Sequence, residues 1–180
     1  LSKLRARRDI DFAMTPTDEP TSDLQPREGE MTLPFDPGSE DGDARVAFIG
    51  RVNSPWTERS DCPKNMNAAR ERGLPASLAV DAPYRPGLSG LARASHAIVL
   101  TWLDRTPRNL IIQKPRHAEA ASGVFALRSP ARPNPIGLHV CRILGIDEKQ
   151  GIVRLEAIDV LDGTPLIDIK PYFASTDAVP

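Results

Sequence analysis

Gly137–Asp147 (GLHVCRILGID) and Ile152–Val160 (IVRLEAIDV) flank the turn Glu148–Gly151, and the reading of this pair decides the fold. In the second segment Val153, Leu155 and Ala157 fall on one face while Arg154 and Glu156 fall on the other. That alternation belongs to a half-buried strand. A short Gly-containing turn between two such segments makes an antiparallel hairpin. Working outward, strands are expected at Val46–Val52 (VAFIGRV), Ala97–Leu103 (AIVLTWL), Leu110–Gln113 (LIIQ) and Val124–Arg128 (VFALR). Residues 56–80 read as a long Pro- and Arg-containing connection with a short helix at Asn65–Arg72. Tyr84–Gly90 is turn material, and a second short helix is expected at Leu91–Ala94. No long helix separates the strands, so the crossovers of a doubly wound parallel sheet have no place. The expected fold is mainly β (α+β): an antiparallel β-barrel with a few short helices, non-Rossmann.

The chain has 180 residues, 40% hydrophobic and 26% charged, which fits one globular domain. No apolar run approaches the roughly 20 residues of a membrane-spanning helix, so no membrane association is expected. The basic first ten residues lead into no apolar h-region, and a cytoplasmic protein is expected. The sequence opens on Leu1, and Met14 and Met31 are candidate starts. Residues 1–43 carry 11 acidic and 5 basic residues, with five prolines and no sustained apolar period. They read as a disordered acidic N-terminal extension. Residues 44–180 carry 13 acidic and 18 basic residues and form the expected folded domain. That asymmetry favours an anionic partner for the folded part. Cys62 and Cys141 have no CxxC partner, and His96, His117 and His139 show no zinc-ligand spacing, so buried thiols and no metal are expected.

Two loops carry the chemistry. In Arg128–Gly137 (RSPARPNPIG), Pro130, Pro133 and Pro135 fix their own φ and push Ser129, Arg132 and Asn134 toward extended backbone. The loop is therefore stiff before any ligand arrives. It is also poor in N–H donors and reads either as a ligand-binding wall or as a plain connector between strands. In Asp159–Tyr172 (DVLDGTPLIDIKPY), Asp162-Gly163 signals a tight turn. Leu166, Asp168 and Lys170 then alternate with Ile167 and Ile169. Same-face neighbours lie roughly 6.5–7 Å apart along a strand, so Asp168 and Lys170 either pair with each other or face a pocket. No Ser/His/Asp arrangement stands out, and neither GxGxxG nor GxxxxGK[ST] occurs.

RSPARPNPIGL, then DVLDGTPLIDIKPY about twenty residues later, with FIGRVNSPW upstream, resembles the TsaA-like (TrmO, also YaeB and VirR) family over roughly residues 44–180. The resemblance implies a β-barrel methyltransferase that is a homodimer. It would use S-adenosyl-L-methionine to methylate N6 of threonylcarbamoyladenosine at position 37 of tRNA, beside the anticodon. Another RNA or a small molecule as acceptor, and a non-catalytic RNA-binding module, are the rival readings. Carried over by matching position, the cofactor contacts are Pro63, Lys64 and Asn65, then Asp104 and Arg105, then Arg128 and Leu138, and finally Ala157, Ile158, Asp159 and Val160. Many relatives carry Pro-Arg-Gln where this chain has Pro63-Lys64-Asn65. No long C-terminal extension follows, which implies RNA contacts from elsewhere in the domain.

Transfer of a methyl group from a sulfonium is an in-line displacement, governed mainly by alignment. A base that takes the N6 proton is sought among Asp159, Asp162, Asp168 and Tyr172, with Lys170 stabilising developing negative charge. For RNA, Arg108, Lys114, Arg116 and His117 of Asp104–His117, together with Arg105 and Arg132, are candidates for phosphate contacts. Trp56, Tyr172 and Phe173 are candidate stacking surfaces for a splayed base. Trp102, within an apolar strand, reads as core.

Overall fold

The computed structural model describes residues 26–34, 45–115 and 118–179. Arg116, His117 and most of residues 1–43 lie outside the described residues. Six strands close into a barrel: β2 (Gly50–Asn53), β3 (Ala76–Val80), β8 (Ile152–Leu155), β7 (Ile136–Asp147), β4 (His96–Trp102) and β9 (Pro165–Pro171), which pairs back onto β2. Every pairing in this ring is antiparallel. The interior follows from alternation: Ala97 and Val99 on β4, Cys141 on β7, Val153 and Leu155 on β8, and Leu78 on β3 all point in and are buried. Each large apolar side chain buried this way contributes about 1.5–3 kcal/mol. The helices add little, since α1 (Met66–Arg72) buries only Ala69 and α2 (Ala174–Asp177) buries nothing. Asn65 caps α1, accepting from the Ala68 amide at 2.9 Å.

Several boundaries differ from the sequence reading, each for a physical reason. β2 starts at Gly50, not Val46, because its ladder to β9 begins there; Val46 and Phe48 stay exposed. A Cβ at Gly50 would lie 2.0 Å from the Ala79 carbonyl oxygen, so this close strand approach needs glycine. Within the expected connection 56–80, Ala76–Val80 is a full stave, pairing with both β2 and β8. Val124–Arg128 is not a strand: after the short β6 (Ser122–Gly123) the chain makes a 3-10 turn at Val124–Ala126. The Val124 carbonyl accepts from Arg132 Nη2 at 2.8 Å instead of from a sheet partner. β8 stops at Leu155, and residues beyond it turn to the chain around Trp56 for their hydrogen bonds.

Residues 26–34, assigned by composition to the extension, pack onto the domain. β1 (Met31–Thr32) pairs with β5 (Leu110–Gln113), which in turn pairs with β6. Glu30 fastens this strap. Its carboxylate accepts from Arg27 Nη2 at 2.5 Å and from the Lys114 amide at 3.0 Å. The Arg27 hydrogen bond is the main cause of a Glu30 pKa lowered from 4.5 to about 2. A carboxyl held down in the folded state stabilises it above the unfolded pKa, and loses that effect as pH falls through the folded one. The Glu30→Gln variant should therefore speed amide exchange at Leu33 and Lys114 near neutral pH. The difference from wild type should close as pH falls from about 4.5 to about 2. A difference that stayed constant over that range would sever the strap from Glu30's charge.

Candidate active site

A cleft of about 930 Å³ opens beside one end of the barrel, where the interior turns from apolar to polar. On β4 and β7 the inward positions Thr101 and His139 are polar yet buried, at 0% and 5% exposure. Thr101 sits opposite Gly137 in the β4–β7 register. Thr101 Oγ1 lies 3.0 Å from His139 Nε2, and His139 Nδ1 lies 2.6 Å from Asp159 Oδ1. Gly137 leaves the room for this chain of contacts. A Cβ there would stand 2.4 Å from Thr101 Oγ1 and 2.6 Å from His139 Nε2. Gly137→Ala should therefore cost about 1–3 kcal/mol by overpacking, read as a fall in melting temperature of roughly 2–4 °C per kcal/mol. An unchanged melting temperature would contradict this packing.

Asp159 reaches the cleft because its neighbours are pinned from behind. Trp56 Nε1 donates to the Ile158 carbonyl at 2.7 Å, and Ser54 Oγ donates to the Val160 carbonyl at 2.7 Å. Ala157 and Ile158 are fully buried and do not line the cleft; they hold Asp159 in place from the core. Trp56, a candidate stacking surface by sequence, is buried at this joint. The Asp162 carboxylate is also engaged, accepting from the Ser54 amide at 2.9 Å. Gly163, at φ 76°, supplies the left-handed residue of the DG turn.

The proline loop forms another wall. Its prolines lack N–H donors, and the carbonyls left over are met by the segment after β4. The Leu103 amide donates to the Pro135 carbonyl at 2.8 Å, Thr106 Oγ1 to that of Pro130 at 3.1 Å, and Arg108 Nε to that of Pro133 at 2.7 Å. Arg108 also lies over the Trp102 ring, 5.2 Å from its centroid. Trp102 is consequently half-buried at the surface and not core. Arg108 and Arg132, expected at RNA phosphates, have part of each guanidinium committed to holding the loop. Arg132 also lines the cleft.

Pro63, Lys64 and Asn65 line the cleft, as do Asp104 and Arg105, Arg128 of the proline loop, Leu138 of β7, and Asp159 and Val160. Arg105 Nη2 donates to the Asp162 carbonyl at 3.2 Å, tying its loop to the DG turn. Five cations (Arg59, Lys64, Arg105, Arg128 and Arg132) face two carboxylates, Asp104 and Asp159, so the cleft favours anions at its mouth. Cys62 also lines it, but burial pushes its thiol up to about 11, which leaves it no nucleophile. Burial likewise raises Cys141, to about 12.

Asp168, Lys170 and Tyr172 are not brought to this cleft. Asp168 pairs with Lys170, Nζ to Oδ2 at 2.6 Å, and borders a second cavity of about 590 Å³ with Phe173 and Tyr84. A bulge between Leu100 and Thr101 in the β4–β9 pairing breaks the alternation on which the sequence reading of β9 relied. The Tyr172 ring stands edge-on to His96. Two residues that the sequence reading missed do line the main cleft, His139 and Gln113. Gln113 Oε1 is buried without a hydrogen-bond partner among the described residues. The signal for His139 was its inward place in the alternation of GLHVC, which puts a polar ring where neighbours are apolar.

The model of the tRNA-methyltransferase O N-terminal domain matches residues 51–178. A probable S-adenosyl-L-methionine-binding protein, VirR of Rhizobium radiobacter, is 36% identical over 82% of this chain and 79% of its own length. The tRNA (adenine(37)-N6)-methyltransferase of Escherichia coli is 31% identical over 73% of this chain and 59% of its own. A crystal structure of TrmO from P. aeruginosa superposes with a TM-score of 0.62 at 34% identity, covering 78% of this chain and 60% of that one. The chain thus spans about three fifths of the length of those two proteins. With the family model spanning the whole ring of strands from Arg51 and the barrel matching a solved member, the chain belongs to the tRNA-methyltransferase O family.

Proposed function

We propose that this protein transfers the methyl group of S-adenosyl-L-methionine to N6 of adenine at position 37 of tRNA, with the threonylcarbamoyl-bearing adenosine as acceptor. It would act in the cytoplasm as a homodimer. The observation that carries the reading is the cleft itself. Its volume of about 930 Å³ lies in the range of small-molecule sites. The cofactor and the acceptor class follow from the relatives, an S-adenosyl-L-methionine-binding protein and a tRNA (adenine(37)-N6)-methyltransferase.

The residues present fit an adenosyl cofactor. The orphaned Gln113 Oε1 in the cleft wall is an acceptor awaiting an N–H donor, as an adenine exocyclic amine provides. Asp159 offers an acceptor for a hydroxyl or ammonium, and Leu138 and Pro63 offer apolar surface. When bound, S-adenosyl-L-methionine supplies an electrophilic methyl on a sulfonium. The chain's own part is alignment and exclusion of water, which the pinned proline loop and the buried backing of Asp159 provide. Arg59, Lys64, Arg105 and Arg128 at the mouth meet the polyanion.

The test combines titration calorimetry with S-adenosyl-L-methionine and mass spectrometry of nucleosides from tRNA incubated with protein and cofactor. Binding and a methylated adenosine at position 37 are expected, on tRNA that carries the threonylcarbamoyl group and not on tRNA that lacks it. Arg105→Ala with Arg128→Ala should weaken tRNA binding and flatten its salt slope by about two contacts' worth. Absence of cofactor binding would sink the methyltransferase reading. Equal methylation of both tRNAs would sink only the choice of acceptor.

A further inference from the structure

Among the described residues, His139 is the one histidine with both ring nitrogens engaged inside the barrel, and neither the sequence motifs nor the chemistry above assigns it a role. It borders the cleft with only 5% of its surface exposed, and both ring nitrogens are already taken by protein partners. Its partners fix its tautomer. A carboxylate only accepts, so at 2.6 Å Nδ1 carries the proton and donates to Asp159 Oδ1. With Nδ1 protonated, Nε2 of a neutral ring is an acceptor, and the Thr101 hydroxyl 3.0 Å away is placed to donate to it. Among the described residues no second hydrogen bond to the Asp159 carboxylate accompanies the one from His139. Asp159 itself lines the cleft.

We propose that His139 is a positioning residue. Locked by Thr101, it holds one oxygen of Asp159 so that the carboxylate keeps a fixed orientation, with its other oxygen presented to the donors of the bound cofactor. The inference rests on the cofactor reading above. The relay runs from the barrel interior to the cleft: β4 supplies Thr101, β7 supplies His139, and the segment after β8 supplies Asp159. Hydrogen bonds to a charged group are short and strong, and this one is shielded by the core. The geometry also explains the lack of a side chain at Gly137, since a methyl there would collide with both members of the upper contact.

A double-mutant cycle on cofactor affinity tests it, using His139→Leu, Asp159→Asn and both together. His139→Leu should weaken S-adenosyl-L-methionine binding by about tenfold or more. In the Asp159→Asn background the same change should add little, because His139 acts through that carboxylate. His139→Asn, whose amide N–H replaces Nδ1–H, should keep affinity within about threefold of wild type. Long-range proton–nitrogen NMR should show the His139 ring protonated at Nδ1. Equal losses from His139→Leu in both backgrounds, or no recovery with Asn, would make His139 a merely structural residue and overturn the proposal. If wild type fails to bind the cofactor at all, the functional reading falls instead. Melting curves on every variant separate unfolding from lost affinity. Should His139→Leu unfold, the Asn variant and the tautomer decide the matter.

Discussion

The register of β4 against β7, with Thr101 opposite Gly137 and Val99 opposite His139, is the constraint on which the rest depends. A slip of one residue would turn every inward side chain outward. Val99 and Cys141 would leave the core, and Thr101 and His139 would lose both their contact and their access to Asp159. One register thus sets the apolar interior and the polar end together. It is reinforced from both flanks, since β4 also pairs with β9 and β7 also pairs with β8.

A second constraint grows from the first. The strand ends on this side lead directly into the two cleft loops. β4 runs into Leu103–Arg108, and the proline loop runs into β7. The prolines leave carbonyls without local donors, and an unmatched buried carbonyl is costly. The amide of Leu103, the hydroxyl of Thr106 and the guanidinium of Arg108, all on the neighbouring segment, answer those of Pro135, Pro130 and Pro133. Two segments that would each be irregular alone become one rigid wall. The same economy appears on the other side, where Ser54 and Trp56 accept the task of bonding residues 158–162 once β8 has ended.

Much of this was legible in the sequence. The hairpin through Glu148–Gly151, the strands Ala97–Leu103 and Leu110–Gln113, and the helix beginning at Asn65 carry clean local signals: alternation, a glycine turn, an N-cap. β3 was not legible, because Ala76-Ser77-Leu78 is short and follows a polar, Pro- and Arg-containing stretch. Its strand state is imposed by β2 and β8 on either side. Val124–Arg128 failed for the opposite reason, since its β-like composition lost to a hydrogen bond from Arg132 that no local pattern announces. At the cleft, single-residue chemistry was readable, but partnership was not. Asp168 and Asp159 look alike in sequence, yet one is paired with Lys170 at the surface and the other is hydrogen-bonded to a buried imidazole. The turn motif DGTP drew attention to Asp162, whose carboxylate is occupied by a backbone amide.

The distribution of charge then separates two demands that one cleft must meet under the proposed reaction. A nucleic acid is a polyanion, and a carboxylate at its docking surface would repel it. A sulfonium cofactor with an ammonium group is cationic, and an arginine beside those groups would repel it in turn. The cleft grades the two: its exposed loops carry four of its cations and one carboxylate, Asp104, beside Arg105. Arg59, Lys64, Arg105 and Arg128 stand on loops, while Asp159 stands at the barrel end, backed by His139. Repulsion between like charges is strongest where water is excluded, so the innermost position is where an anionic ligand would be rejected most strongly and a cationic one favoured. Under the proposed reaction this ordering would put the methyl donor inside and the RNA outside. The reacting N6 must then come to the donor, which requires an adenine turned out of its stack toward the barrel end and not a donor carried outward to the RNA.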